Sequence, residues 1–312
     1  MSSAHCPTIH GILYAMKAPE KLFILPFDHR SYFLKKIGIT DRQPTESEQG
    51  LVTNLKQVIY QGFQKAIALG IPQESAGILV DDIYGASILR DAKSKGITII
   101  QTTEISGKDC FEFEHGDDAE KFLIAVQPNY AKALVRFDPR KNTHDEEVSI
   151  ANLKKLNDMC IKNNIGFLIE PLIMPTDADI AQYGDKHEFD ESLRPSLLLQ
   201  MINLFHQHGI DPDIWKIEGF IHSENYLKVS EQLQSIKPSA RIIILGRGET
   251  DDYVAQWINA GKHVENVIGF AVGRTIFDTA LDNYRAGSMS IDQASDMIAK
   301  NFFHFYQLFI EN

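Results

Sequence analysis

Eight short apolar segments recur along this chain, and stretches with helical character separate them. This alternation restricts the possible folds more than any other feature. The segments are Leu22 to Phe27, Gly77 to Val80, Ile97 to Thr102, Ala131 to Phe137, Gly166 to Ile169, Asp213 to Gly219, Arg241 to Leu245 and Val267 to Ala271. Each is short enough for a buried strand and is bounded by Gly, Pro or acidic residues. Helical stretches run over Thr45 to Leu69, through Leu89 and Ala92, and over Asp117 to Val126 and Asp145 to Asn163. More follow over Glu191 to His208, Glu224 to Ile236, Asp251 to Ala260, Thr275 to Arg285 and Ile291 to Ile310. Gly70, Gly96 and Gly261 supply helix stops. The pattern predicts an α/β fold: a single (β/α)8 TIM barrel over residues 21–312. Residues 1–20 are expected to be a short N-terminal extension, and Ile291 onward an extra C-terminal helix. The open doubly wound sheet is the alternative, but no G-x-G-x-x-G loop follows the first strand.

The sixth segment, Asp213-Ile214-Trp215-Lys216-Ile217-Glu218-Gly219, carries a lysine in its centre. Side chains alternate across a strand, so Trp215 and Ile217 face one way while Ile214, Lys216 and Glu218 face the other. A buried ammonium finds an anion or gives up its proton. In the second case it is a nucleophile for carbonyl carbon, and in the first it is a structural partner of a carboxylate such as Glu218.

Active sites of barrels of this kind gather at the C-terminal ends of the strands. The sequence places Asp28, Asp81, Glu104, Arg136, Glu170, Lys216, Arg247 and Arg274 there, a mixed-charge ring. Glu170 shares strand parity with Leu168, so it faces inward, either to move protons or to hold a lysine. Lys132 shares a face with Leu134 and Arg136, and a second cation near Lys216 would ease loss of its proton. Arg247 and Arg274 both follow a glycine, Gly246 and Gly273, after strands seven and eight. Those are the turns where such barrels bind phosphate through backbone N–H groups, a helix N-terminus and arginine forks. Solvated arginines in tight turns are the plainer reading. The histidines are scattered. His29 beside Asp28 reads as solvated or hydrogen-bonded rather than as a metal ligand, and no His/Cys cluster has zinc spacing.

The formal net charge of −11 argues against nucleic acid and anionic membrane as partners. It leaves room for a small phosphorylated substrate held by local cations. No apolar run is long enough to span a bilayer, and the first ten residues lack the pattern of a secretory leader. Three cysteines, Cys6, Cys110 and Cys160, suit a reducing cytoplasm. Phe111, Phe113, Phe302, Phe303, Phe305 and Phe309 are packing residues or an oligomer face, and a homo-oligomer is expected.

Several segments resemble one family: Ile24 to Arg30, Gly77 to Asp81, Lys132 to Arg136, Trp215 to Gly219 and Gly269 to Arg274. It is the barrel domain at the C-terminal end of fused 5-dehydro-2-deoxygluconokinases of myo-inositol catabolism. That domain is often labelled a 2-deoxy-5-keto-gluconate 6-phosphate aldolase. More distantly the chain resembles class I tagatose-bisphosphate and sulfofructose-phosphate aldolases. The resemblance implies that Lys216 matches the Schiff-base lysine, Glu170 the acid/base carboxylate and Lys132 the second active-site lysine. It implies further that Asp28 matches a site aspartate on strand one and that Arg274 falls near the phosphate end. The expected activity is a class I aldolase acting on a ketose or keto-acid phosphate. Glu170 would take the hydroxyl proton during C–C cleavage, and no cofactor or metal is needed because the protonated imine is the electron sink. Two alternatives stand beside it. One is a metal-dependent lyase or epimerase with Asp28, Asp81, Glu104 and Glu170 as ligands; the other is a non-catalytic sugar-phosphate sensor.

Overall fold

The computed structural model of the protein describes residues 19–311. Cys6 and nearly all of the expected N-terminal extension lie outside the described residues. The chain opens with β1 (Phe23–Pro26), α1 (Arg30–Lys36), α2 (Glu46–Leu69), β2 (Ala76–Val80) and α3 (Asp82–Ser94). It continues through β3 (Thr98–Thr102), α4 (Ala119–Val126), β4 (Tyr130–Arg136), α5 (His144–Asn163) and β5 (Gly166–Leu172). Next come α6 (Asp177–Tyr183), α7 (Lys186–Ser192), α8 (Arg194–Gln207), β6 (Ile214–Glu218) and α9 (Ser223–Ile236). The last elements are β7 (Arg241–Leu245), α10 (Asp251–Gly261), β8 (Val267–Ala271), α11 (Arg274–Arg285) and α12 (Ile291–Ile310).

The eight strands are parallel and close into a barrel in sequence order. Closure depends on a near approach of β8 to the start of β1. Leu22 N–H donates to Ile268 O at 2.9 Å, and a Cβ on Gly269 would stand only 1.9 Å from Leu22 O. Only glycine permits that approach. Inward side chains stack in layers, as in other barrels of this class. The lower interior is apolar and holds Ile24, Leu79, Ile100, Leu168, Ile214 and Ile243. Two residues further along the same faces, from Tyr130, Leu168 and Ile214, the inward positions turn polar at Lys132, Glu170 and Lys216. The outward faces build the larger core with the helices. Trp215, for example, stacks on Phe205 of α8 with ring centroids 6.3 Å apart.

Helix starts follow the capping residues. Thr45 and Glu48 make a reciprocal capping box for α2, and Ser290 with Gln293 does the same for α12. The extra C-terminal helix α12 lies against α2 and β1: Phe302 meets Phe63, and Phe309 meets Phe23. Phe111, Phe302, Phe305 and Phe309 are buried, and Phe113 and Phe303 pack partly buried on the same core. These rings are therefore packing residues. Cys110 and Cys160 are free thiols. No helix among the described residues is long and apolar enough to cross a membrane.

Three helices escape the sequence reading: α1, α6 and α7. Each spans 7 residues, too few for a periodic apolar face. Gly184, in the left-handed region at φ 96°, separates α6 from α7. The helix expected from Glu191 begins at Arg194, with Pro195 in its first turn.

Candidate active site

The polar layer inside the barrel is built around two lysines that share one carboxylate. Lys216 Nζ lies 2.7 Å from Glu170 Oε1, and Lys132 Nζ lies 3.1 Å from Glu170 Oε2. The register explains this. Lys132 and Glu170 sit at inward positions of adjacent strands, offset by one step, and Lys216 follows on β6. Lys132 makes two further pairs, 2.9 Å to Asp28 Oδ2 and 2.6 Å to Glu104 Oε1. All five groups are buried, Lys132 at 1% and Lys216 at 2% exposure. Three carboxylates thus surround one ammonium, while the other ammonium has one carboxylate partner.

The electrostatics follow the geometry. Burial works against the charge of Lys132, but Asp28, Glu104 and Glu170 outweigh it and hold the ammonium well above the ordinary lysine range. Burial likewise pushes Asp28 upward, and the nearby Lys132, His29 and Lys216 overcome it, leaving Asp28 far below the usual carboxylate range. Glu170 is lowered in the same way: burial opposes, and Lys132 and then Lys216 prevail. His29 is pushed down to about 4, first by loss of solvent around the ring, then by Lys216 and Arg274. It is therefore neutral at neutral pH, and its buried Nδ1 has no hydrogen-bond partner among the described residues.

These groups line a cavity of about 410 Å³ at the C-terminal mouth of the barrel. Gly246, Arg247, Gly273 and Arg274 line it on the β7 and β8 side, and Arg136 lines it above Lys132. The two arginines differ. Arg247 has a left-handed backbone at φ 51°, and its guanidinium pairs with Glu218 at 2.6 Å and Asp190 at 3.1 Å. Burial raises Glu218 above the usual carboxylate range even against Arg194 and Arg247. Arg274, the first residue of α11, donates to Arg247 O at 2.5 Å and stands over the Tyr32 ring. Among the described residues it has no carboxylate partner within 4.0 Å. Gly248 must lack a side chain here, because its φ is +79° and a Cβ would meet the Arg274 guanidinium carbon at 2.7 Å. Arg136 is held by a bond to Lys108 O at 2.7 Å.

The structure does not bring Asp81 to the cavity. Asp81 caps α3 by accepting from Tyr84 N–H at 2.8 Å, and it pairs with the ammonium of Lys56 from α2. Both side chains are 0% exposed. The expectation that Asp81 contacts substrate fails because a helix lysine claims the carboxylate first. Sequence reasoning also undervalued the run Asp28-His29-Arg30. His29 lines the cavity, and Arg30, buried at 5%, donates to Glu104 O and pairs with Glu114, which fixes the β3 loop against the start of α1. Three polar residues ending an apolar strand were the available signal.

No group of three or more His, Cys, Asp or Glu among the described residues is arranged to hold a metal ion. Fold and site together define a TIM-barrel protein with a buried, two-lysine polar centre at the C-terminal end of the barrel. The chain belongs to the family described as "Uncharacterized protein conserved in bacteria (DUF2090)", whose model matches residues 2–312. Among solved structures it is similar to Cgl0159 from Corynebacterium glutamicum at 15% identity. That match covers 91% of this chain and 86% of the other, with a TM-score of 0.52, and it concerns the fold. No curated protein matches the chain.

Proposed function

We propose that this protein is a class I aldolase that cleaves or forms a C–C bond in a ketose or keto-acid phosphate. The observation that carries the reading is the 2.7 Å contact of Lys216 Nζ with Glu170 inside the closed barrel, at the mouth where barrel enzymes work. Lys216 attacks the substrate carbonyl. Glu170 takes the proton that the attacking amine sheds and returns it to the departing water, so an iminium forms on Lys216. Lys132 holds Glu170 in place from the other side. Asp28 fixes Lys132 in turn.

The cation count supports this reading over a metal-dependent lyase. Lys132 already sits where a cation bound by Asp28, Glu104 and Glu170 would sit, at 2.9, 2.6 and 3.1 Å. The iminium supplies the electron sink that a metal would otherwise provide. Arg274 and the start of α11, with Gly273 and Gly246, form the phosphate end. Arg247 shapes that end while bound to Glu218 and Asp190. The resemblance noted above favours 2-deoxy-5-keto-gluconate 6-phosphate or a tagatose or fructose phosphate as substrate.

The test is aldehyde release from a panel of these phosphates by the wild type and by Lys216→Arg. The variant keeps the charge and cannot form the imine, so cleavage should fall on the order of a thousandfold or more. A chelator should change nothing. Full cleavage by Lys216→Arg, or loss of wild-type cleavage in chelator, would reject the proposal.

A further inference from the structure

One task of the imine chemistry, expected of Glu170 from the resemblance, has a second candidate in the structure. Once the iminium has formed, C–C cleavage requires a base for the hydroxyl two carbons from the imine carbon. Three carboxylates line the cavity near Lys216, and the geometry separates them. Both oxygens of Glu170 are engaged, Oε1 by Lys216 and Oε2 by Lys132. Asp28 is held by Lys132 and lies far below the ordinary carboxylate range, which makes it a weak proton acceptor. Glu104 differs from both. Its Oε1 receives the Lys132 ammonium at 2.6 Å, but its Oε2 is buried and has no hydrogen-bond partner among the described residues. Its side chain is 9% exposed and lines the cavity.

An unpartnered carboxylate oxygen in a buried site is costly and calls for an explanation. Its position is also firmly set. Thr103 N–H donates to Lys132 O at 3.0 Å, Glu104 pairs across a bridge with Phe113, and Arg30 donates to Glu104 O. A rigid backbone that leaves one acceptor unclaimed suits a substrate hydroxyl.

We propose that Glu104, rather than Glu170, is the catalytic base for the C–C bond step and that its Oε2 receives the substrate hydroxyl; this rests on the aldolase reading above. The hydroxyl O–H bond breaks and its proton passes to Oε2. The oxygen's electron pair forms the C=O of the departing aldehyde. The pair of the broken C–C bond flows into the iminium and leaves an enamine on Lys216. In the synthetic direction the same proton returns from Oε2 to the new alkoxide. Glu170 keeps the imine steps and Glu104 takes the cleavage step, so the two carboxylates divide the proton traffic of one cavity.

The division is testable with the small ketone product alone. Dihydroxyacetone phosphate is the ketone half of 2-deoxy-5-keto-gluconate 6-phosphate and of a tagatose or fructose phosphate that carries a phosphate on C1. It forms the imine and enamine without any C–C bond step. Glu104→Gln keeps the shape and the contact region and cannot accept the proton. It should trap dihydroxyacetone phosphate on Lys216 with borohydride as the wild type does, and exchange the α-hydrogen of that ketone in heavy water. Cleavage of the intact substrate should fall about 10²–10⁴-fold. Glu170→Gln should instead lose trapping and exchange. Should Glu104→Gln fail to fold, Glu104→Asp keeps the charge and withdraws the oxygen by a methylene, with the same expected split. Cleavage within about threefold of wild type in these variants overturns the proposal. So does an equal loss of trapping and cleavage, which would make Glu104 only a positioning partner of Lys132. A wild type that traps no ketose phosphate and no dihydroxyacetone phosphate overturns the aldolase reading and this assignment together, an outcome distinct from the other two.

Discussion

Glu170 gives one oxygen to Lys216 and the other to Lys132, so the two lysines are bound into one unit while their surroundings differ. His29 stands at the edge of this unit. It faces Asp28 and Glu170, which favour its charge, and Lys216 and Arg274, which oppose it, with Tyr32 beside the ring. Its pKa falls from the ordinary 6.5 to about 4. Between those values the unfolded chain takes up a proton that the folded protein refuses. Stability is therefore full above pH 6.5 and declines as pH falls toward 4. Thermal melts from pH 7 to 4.5 should show that decline, and His29→Gln should flatten it by about one proton. An unchanged slope in the variant would place the titration elsewhere. The two mouth arginines also separate at this scale. Arg274→Ala should weaken binding of a phosphorylated ligand by about 1.5–3 kcal/mol, the range for a charged hydrogen bond, with little change in melting temperature. Arg247→Ala strands Glu218, while Asp190 keeps Arg194 at 3.0 Å, and it should lower the melting temperature as well. Calorimetric titration with the ligand, beside melts of both variants, checks the split; equal effects would refute it.

Between elements, a buried ion pair ties α2 to the end of β2. Lys56 crosses from α2 to Asp81 and to Phe27 O at 2.6 Å, with no solvent around either partner. Burial pulls Lys56 below its ordinary pKa in spite of Asp81. Lys56→Met fills the space and leaves Asp81 alone, so it should cost about 3–5 kcal/mol in denaturant unfolding. A change under about 1 kcal/mol would mean that the pair is not holding β1, β2 and α2 together. At the rim beside β4 and its neighbour β5, Arg140 spans Asp138 after β4 and Asp179 in α6, which ties the short helices of the β5 loop to the rim. Those helices are stabilised by such ties and by caps, not by a long apolar face, and a sequence pattern cannot show a tie to a residue far along the chain.

For the whole molecule, the barrel was legible because each strand is an apolar run and long helices such as α2 and α12 open on a capping box. The alternation of side chains also placed Lys132, Glu170 and Lys216 inside, since parity along a strand is a local property. Partner choice was not legible. Asp81 ends a strand as Asp28 does, yet a lysine from α2 takes it away from the cavity. Arg247 looks like Arg274, yet Glu218 and Asp190 hold it. Such selections depend on which residues meet across the barrel, and only the folded chain decides them. The central claim is that Lys216 forms the covalent intermediate. Borohydride added during turnover of a phosphorylated ketose, followed by peptide mass spectrometry, measures this directly. The account predicts the reduced adduct on the peptide carrying Lys216 and none on Lys132. An adduct on Lys132, or no adduct while cleavage proceeds, would contradict it.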